Sequence, residues 1–185
     1  MKIMTINTLS RSMEFTLFEM DDNSVIAKGI IERIGLEDSS CEIKYNGEKI
    51  VLTSEINNYE DAVKILFDNL LTLNIISSLD DVKAIGHRVV HGGSRYSNSV
   101  FISDKVINDV YELSDLAPLY NKSEADGMKA FKSLLPNTLM VAVFDTAFHQ
   151  TISEENFLYP VPYEWYEQYG VRKYGFHGMS HRYVS

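Results

Sequence analysis

The first third of the chain alternates apolar and polar residues in short runs, which is the period of β-strands with one buried face. Asn46 and Gly47 separate the last two runs, and this dipeptide favours the type I′ turn of a β-hairpin. We therefore expect this region to form antiparallel strands. The predicted strands cover residues 3–6, 13–19, 25–34, 41–45 and 49–52.

Beyond residue 58 the apolar residues recur at three- and four-residue spacing, which is the period of an amphipathic α-helix. Asn58 and Ser103 are placed to cap helices, because their side chains can accept a hydrogen bond from a backbone N–H of the first turn. The predicted helices are 59–71, the segment after Ser103 and 123–135, and the predicted strands between them are 84–90 and 139–144. This order predicts an α/β fold, a mixed sheet with helices packed on it.

The pattern of residues changes beyond residue 150, where aromatic and polar residues around a Tyr-Pro-Val-Pro-Tyr run replace the periodic pattern. We interpret this stretch as a hinge. The sequence thus predicts one domain over residues 1–150, and a hinge with the start of an incomplete second domain over residues 151–185. Because Ser185 directly follows a motif-like segment, we expect the chain to be the N-terminal part of a longer protein.

Charge and composition narrow the classes of partner. The formal net charge of −9 argues against binding to a nucleic-acid backbone or an anionic membrane surface. No signal-peptide hydrophobic region and no apolar run of membrane-spanning length is visible, so we expect a cytoplasmic protein. Cys41 is the only cysteine, which leaves no intrachain disulfide. An acidic protein must bind an anion with a few local cations, so each arginine in a candidate pocket matters.

Polar residues near strand ends are candidates for chemistry, because in such sheets they line the ligand crevice. Arg88 could donate two parallel N–H hydrogen bonds to a carboxylate or phosphate, or could form a structural ion pair with an aspartate. Asp145 could act on Mg²⁺ or a nucleophile, or could cap a helix. His87 and His91 could share a metal, but packed histidines explain them better because no third ligand is evident nearby.

Two further segments could act on a phosphoryl group. His177 lies between glycines beside an aromatic residue, and an exposed imidazole there could donate to developing charge, or be a loop histidine with no role. A turn predicted over residues 7–12 joins the first two strands. Its Ser10, Arg11 and Ser12 could meet phosphate oxygens, or simply form a polar turn.

Three ordered segments, residues 86–93, 143–150 and 174–185, resemble the signature stretches of the acetate kinase family, and weaker similarity covers almost the whole chain. The resemblance implies an actin-like ATPase (ribonuclease H-like) fold with two domains around a cleft. It also implies Mg²⁺-dependent phosphoryl transfer between ATP and acetate or another short-chain carboxylate, giving acetyl phosphate and ADP.

The resemblance also implies roles for single residues. Arg88 would hold the carboxylate or the transferring phosphoryl group, Asp145 would lie near the nucleophile and metal, and His177 would stabilise the transition state. Asn7 would lie near Mg²⁺. The pocket for the acyl methyl group would consist of Val90, Leu119 and Phe176. The adenine pocket would lie outside this chain, and a homodimer, or another chain that supplies the missing domain, is a further expectation.

This sequence departs from the family pattern at the expected site. In the first turn Leu9, Arg11 and Glu14 stand where the family has a glycine, a serine and a lysine. Tyr120 replaces an active-site histidine, and Met179 replaces the usual threonine. The negative charge of Glu14 would repel phosphates. At ~6 Å and an effective dielectric of ~20, the interaction of one unit charge pair is worth roughly 3 kcal/mol.

Three hypotheses stay open on these residues. The first is an acetate kinase. The second is a degenerate relative that binds a carboxylate or a protein partner without turnover, which the departures favour. The third is a propionate or butyrate kinase of the same fold.

Overall fold

The computed structural model describes residues 1–185, and its eight strands join into one sheet. The strands are β1 Lys2–Leu9, β2 Ser12–Glu19, β3 Ser24–Glu32, β4 Ser40–Tyr45, β5 Glu48–Thr53, β6 Val82–Val89, β7 Val100–Phe101 and β8 Leu139–Phe144. The helices are α1 Tyr59–Thr72, α2 Asp104–Glu112, α3 Asn121–Leu134, α4 Glu154–Phe157, α5 Glu164–Tyr169 and α6 Gly178–Val184.

The order of strands across the sheet is β5-β4-β3-β2-β1-β6-β8-β7. Strands β1 to β5 pair as successive antiparallel hairpins, whereas β6 lies parallel between β1 and β8. The predicted mixed sheet with flanking helices is confirmed. Because β1, β6 and β8 are parallel, their carboxyl ends meet at one edge of the sheet, where a ligand crevice is expected.

Local sequence signals explain several element boundaries. The backbone of Asn46 and Gly47 has φ of 51° and 79°, as the predicted type I′ turn requires. The Asn58 side chain accepts a hydrogen bond from the amide of Asp61 at 2.8 Å and caps α1. Ser103 caps α2 in the same way. These predicted starts and turns are confirmed.

The predicted turn over residues 7–12 is wrong. Strand β1 runs on through Leu9 and β2 starts at Ser12, so that only Ser10 and Arg11 turn the chain. The strand continues because the Thr8 side chain is buried against Gly127 of α3. Asn7 therefore lies within a strand and not beyond its end.

Helices α1 and α3 cover one face of the sheet and enclose the larger of two hydrophobic clusters. The rings of Phe67 on α1 and Phe131 on α3 meet edge to face, with 6.2 Å between their centroids. His87 lies in this core and meets Phe131 edge to face at 5.0 Å. Burial lowers the pKa of His87 to about 3, so the imidazole is neutral at physiological pH. The structure thus makes His87 a packed residue.

The opposite face of β1, β2 and β6 carries polar side chains and stays open. Thr5 and Asn7 alternate with the buried residues of β1, and Glu14 and Thr16 do the same on β2. Gly86 of β6 lies among them. The alternation of the strands therefore gives a covered apolar face and an open polar face, which is available to a ligand.

Residues beyond 151 form three short helices with few buried side chains. Phe157 and Gly178 are the buried residues of this segment. Phe157 packs against the ring of Tyr166 and the guanidinium of Arg172. No helix in the structure combines the length and apolar character that crossing a bilayer requires. The division into residues 1–150 and 151–185 stays a prediction, which hydrogen exchange can test.

We expect the amides of residues 158–173 to exchange at least about 100-fold faster than those of β1, β6 and β8, because this segment has few buried apolar contacts. Hydrogen exchange with mass spectrometry on the 185-residue chain measures this. Equal protection throughout the chain would contradict the predicted boundary.

Substitution of Gly29 on β3 tests how closely the antiparallel strands β2, β3 and β4 pack. A Cβ at this position would overlap the carbonyl oxygen of Glu42 and lie 2.7 Å from a ring carbon of Phe15. We expect Gly29→Ala to lower the free energy of unfolding in urea by about 3 kcal/mol. Gly86→Ala is the matched control on β6, where a Cβ meets nothing within 4 Å. Similar losses in the two variants would be inconsistent with the described packing of β3 on β4.

Candidate active site

The register of three strands places polar side chains in one row on the open face. Arg88 on β6 lies opposite Asn7 on β1, and Asn7 lies opposite Glu14 on β2. On the other side, Arg88 lies opposite Val143 on β8. Cross-strand neighbours point to the same face of a sheet, so the side chains of this row are in contact.

Arg88 and Asp145 form the central ion pair of the site. The Nε of Arg88 donates to Oδ1 of Asp145 at 3.2 Å, and Nη2 donates to Oδ2 at 2.6 Å. The Asp145 side chain is 3% exposed and that of Arg88 is 26% exposed. Hydrogen bonding to Asp145 raises the pKa of Arg88 above its ordinary value, so the guanidinium stays charged.

The same pair bears on the alternatives that the sequence left open for Asp145 and Arg88. Asp145 does not cap a helix, since the helical turn Ala147–Thr151 has no side-chain cap and the carboxylate faces Arg88. The predicted structural pairing of Arg88 with an aspartate is present. It does not exclude anion binding, because the pair occupies only one edge of the guanidinium.

Arg88 keeps donors for a ligand. Its Nη1 donates to Oδ1 of Asn7 at 2.9 Å, and Asn7 in turn donates from Nδ2 to Glu14 at 2.9 Å. A guanidinium has five N–H donors, and three are used by Asp145 and Asn7. Two N–H groups remain, one on each terminal nitrogen. They suit the paired oxygens of a carboxylate or a phosphoryl group.

A cavity of about 450 Å³ lies in front of this guanidinium. It brings together the residues predicted to be catalytic or to bind the acyl group, although these residues come from distant parts of the sequence. They are Arg88, Val90, Leu119, Asp145, Phe176 and His177. The cavity is lined both by charged groups and by apolar side chains, which suits a small carboxylate with an alkyl group.

His177 is held at the cavity by the backbone of its neighbours. It adopts a left-handed conformation with φ of 54°, and the amide of Gly178 donates to the carbonyl oxygen of Asp145 at 2.8 Å. A Cβ at Gly178 would overlap that carbonyl, so the close approach needs glycine. The Nε2 of His149 lies 2.9 Å from the carbonyl oxygen of Phe176. These contacts leave the His177 imidazole exposed beside the ion pair.

His91 is packed near this segment. Its ring lies edge to face with Tyr174 and Phe176, at 4.6 and 5.4 Å between centroids. Its Nδ1 accepts a hydrogen bond from the amide of Gly93 at 2.9 Å, and burial lowers its pKa. His91 therefore supports the wall of the cavity.

A second cavity of about 330 Å³ lies on the open face, where it borders Asn7, Glu14 and Met179. No group of three or more His, Cys, Asp or Glu side chains is placed to hold a metal ion. The Asn7 amide oxygen and the Glu14 carboxylate are oxygen ligands of the kind that Mg²⁺ accepts. These residues fit Mg²⁺ only when phosphate oxygens and water complete the coordination, which is the usual mode for this ion.

The structure does not bring Ser10, Arg11 and Ser12 into either cavity. The carbonyl oxygen of Ser10 accepts from the hydroxyl of Ser123 at 3.5 Å, and that of Arg11 accepts from the amide of Ile34 at 2.9 Å. Their predicted contact with phosphate stays a prediction.

Most of the departures from the family pattern line the two cavities. Leu9 and Tyr120 line the larger cavity. Met179 and Glu14 line the smaller one, and Glu14 is bonded to Asn7. Glu14 thus carries its negative charge on the open face, beside the row that leads to Arg88.

Sequence reasoning missed two polar residues in the first turn of α3. Asn121 and Glu124 are buried, at 0% and 1% exposure. Both oxygens of Glu124 accept from the amide of Val90, at 3.2 and 3.1 Å. The signal was present, because Glu124 occupies the same helical stripe as the buried residues Met128 and Phe131.

An arginine fork at the carboxyl edge of parallel strands, in a mixed sheet with flanking helices, is consistent with the actin-like ATPase class. Solved structures of that fold match this chain. Acetate kinase from Porphyromonas gingivalis superposes with a TM-score of 0.93 and 42% identity, over 99% of this chain and 47% of that chain. Propionate kinase from Francisella tularensis gives a TM-score of 0.91 and 36% identity, over 100% and 47%.

The model of the acetokinase family matches residues 2–185, and the chain belongs to that family. Acetate kinase from Anoxybacillus flavithermus is 53% identical over 184 residues, which are 100% of this chain and 46% of that relative. The chain thus spans about half the length of the curated relatives it matches. The resemblance found in the sequence is confirmed for the family and the fold.

The Arg88–Asp145 pair can be tested without any ligand. We expect Arg88→Ala to lower the free energy of unfolding by about 3 kcal/mol, because it leaves the buried Asp145 carboxylate unpaired. The double variant Arg88→Ala with Asp145→Asn should recover at least about 1 kcal/mol, since the charge is then removed. Urea unfolding at pH 7 measures both values.

Arg33→Ala is the matched control, because Arg33 pairs with Asp38 at the surface and exposed pairs contribute less than about 1 kcal/mol. A double variant as unstable as Arg88→Ala alone would show that Asp145 does not depend on Arg88 for its charge.

Proposed function

We propose that this chain forms the carboxylate-binding part of an acetate kinase, which transfers a phosphoryl group reversibly between ATP and acetate. One observation carries the proposal. Arg88 has two unused N–H groups and lines a cavity together with apolar side chains and His177. The similarity to acetate kinases over the whole chain supports the same conclusion.

The cavity accommodates the substrate in one orientation. The acetate carboxylate would bind the free edge of the Arg88 guanidinium through two parallel N–H bonds. Its methyl group would contact Val90, Leu119 and Phe176. Asp145 would hold the guanidinium in place from behind, since both of its oxygens are engaged there.

The reaction needs alignment and positive charge more than covalent help. An acetate oxygen would form a bond to the γ-phosphorus as the bond to the ADP oxygen breaks, and no proton is transferred. Arg88 and His177 would donate to the oxygens of the transferring group. Asn7 would help to hold Mg²⁺ together with nucleotide phosphates and water, and the ion would offset phosphate charge.

The nucleotide and the second half of the enzyme complete the proposed function. ATP or ADP would bind between this domain and the second half that acetate kinases possess, supplied by the same protein or by another chain. Ser10, Arg11 and Ser12 would lie on the phosphate side. A homodimer and a cytoplasmic location are further expectations from the family.

Two specific observations favour alternatives. Glu14 on the open face and Tyr120 in the larger cavity are consistent with a degenerate relative that binds a carboxylate without turnover. The match to a propionate kinase structure at a TM-score of 0.91 favours a longer acyl substrate. The test below separates these functions.

We expect a fusion of residues 1–185 to the second half of Anoxybacillus flavithermus acetate kinase to form acetyl phosphate from ATP, Mg²⁺ and acetate. Trapping with hydroxylamine measures the product. Arg88→Lys keeps the charge but loses the fork, and it should lower kcat/KM at least about 100-fold. The parent relative is the positive control, and the Arg95→Lys fusion controls for a general effect of arginine replacement.

Acetate, propionate and butyrate should be compared in the same assay. If kcat/KM is higher with propionate or butyrate than with acetate, the longer acid is the preferred substrate and the proposal of acetate is wrong. No turnover with any acid, in a fusion that folds and binds acetate, would support the degenerate relative. If the Glu14→Lys variant of that fusion regains turnover, the negative charge of Glu14 is the cause of the lost activity.

A further inference from the structure

Glu124 is a buried acidic residue immediately behind the cavity, and the proposed mechanism assigns it no part. It lies in the first turn of α3 and is 1% exposed. A carboxylate has about four acceptor positions, yet its hydrogen-bond partner is a single backbone N–H, that of Val90, shared by both oxygens. A buried carboxylate with so few donors is costly in its ionised form.

No cation is committed to Glu124. The nearest is Arg88 on β6, but its hydrogen bonds go to Asp145 and Asn7. Asp145, at the end of β8, repels a second negative charge. Tyr59 on α1 faces Glu124 as a neutral phenol whose pKa burial raises. On α3 itself, Lys122 and Asp126 interact with each other.

Burial is the main cause that raises the pKa of Glu124 to about 8, while Val90 and Arg88 oppose the shift. The group is therefore neutral below that pH and becomes charged above it. Its charge would appear near Arg88, with which Glu124 interacts electrostatically. A negative charge there weakens the attraction of Arg88 for an anion.

The contact with Val90 ties this carboxyl to the cavity geometry. Val90 follows directly on β6, two residues beyond Arg88, and its side chain lines the cavity. Asn121 holds the next residue, since it accepts from the amide of His91 at 3.2 Å and donates to its carbonyl oxygen at 2.9 Å. The first turn of α3 thus fixes the backbone that carries the acyl-binding wall.

We propose that Glu124 is a proton-linked positioning residue, which holds the Val90 backbone and, by ionising, weakens the binding of an anion at Arg88. The inference rests on the proposed function in that the anion is the substrate carboxylate. An anion at Arg88 also favours the protonated form of Glu124, because linkage is reciprocal. Anion affinity is therefore full at low pH and falls as pH rises through the titration of Glu124.

The test measures the dissociation constants of acetate and of sulfate for the 185-residue chain between pH 6.5 and 9.5. Neither anion titrates in that range. Isothermal calorimetry or NMR titration gives the constants. A second negative charge near the guanidinium, partly screened, should raise the dissociation constant about fivefold across this range. In Glu124→Gln, which keeps an oxygen for the Val90 amide, this rise should be lost. Both proteins carry His177→Gln, which removes the imidazole that lines the cavity beside Arg88.

Glu48→Gln is the matched control, because it removes one exposed negative charge on β5, which four strands separate from β6, and it should follow the pH dependence of the unaltered protein. The Val90 amide gives a readout without ligand. Its NMR shift should titrate near pH 8 in the unaltered protein and not in Glu124→Gln. A Val90 amide that does not titrate, or an equal pH slope in Glu124→Gln, overturns the inference.

The two proposals fail in different ways. If sulfate binds with the expected pH slope and acetate does not bind, the inference stands and the proposed substrate is wrong. If both anions bind with no pH slope, the substrate proposal survives and the role of Glu124 is wrong. If neither anion binds at any pH, both are overturned.

Discussion

The bidentate contact between Arg88 and Asp145 is the interaction on which the site depends. It joins the ends of two parallel strands, β6 and β8, and it buries a carboxylate that would be very costly alone. The same contact sets the direction of the guanidinium, which lines the larger cavity and keeps two unused N–H groups. Removing either partner would therefore change stability and anion binding together.

The fold was largely predictable because its signals are local. Alternation predicted the strands, Asn58 and Ser103 predicted helix starts, and Asn46 with Gly47 predicted a hairpin. The first turn was predicted too long, because a polar residue such as Asn7 on the open face of a strand has the composition of a loop. Only the burial of Thr8 under α3 shows that the strand continues, and that contact is not local.

The residues of the site could be predicted from the sequence, but the hydrogen bonds between them could not. The motifs pointed to Arg88, Asp145 and His177, yet the sequence could not show that Asp145 and Asn7 take three of the five donors of Arg88. Glu124 was missed because a glutamate in the first turn of a helix is ordinarily an exposed residue that favours the dipole. Its burial follows from how α3 meets the end of β6, which depends on tertiary packing.

Glu14 and Glu124 are two acidic groups near one arginine, and their positions give them different effects. Glu14 is exposed on the open face and reaches Arg88 through Asn7, so solvent and counterions screen its charge. Glu124 is buried and is screened much less, but it can take up a proton and become neutral. A buried group thus avoids its own electrostatic penalty by titrating, while an exposed group keeps its charge. In our proposal the net attraction of the site for an anion therefore varies with pH through Glu124, whereas the effect of Glu14 is weakened by solvent and counterions.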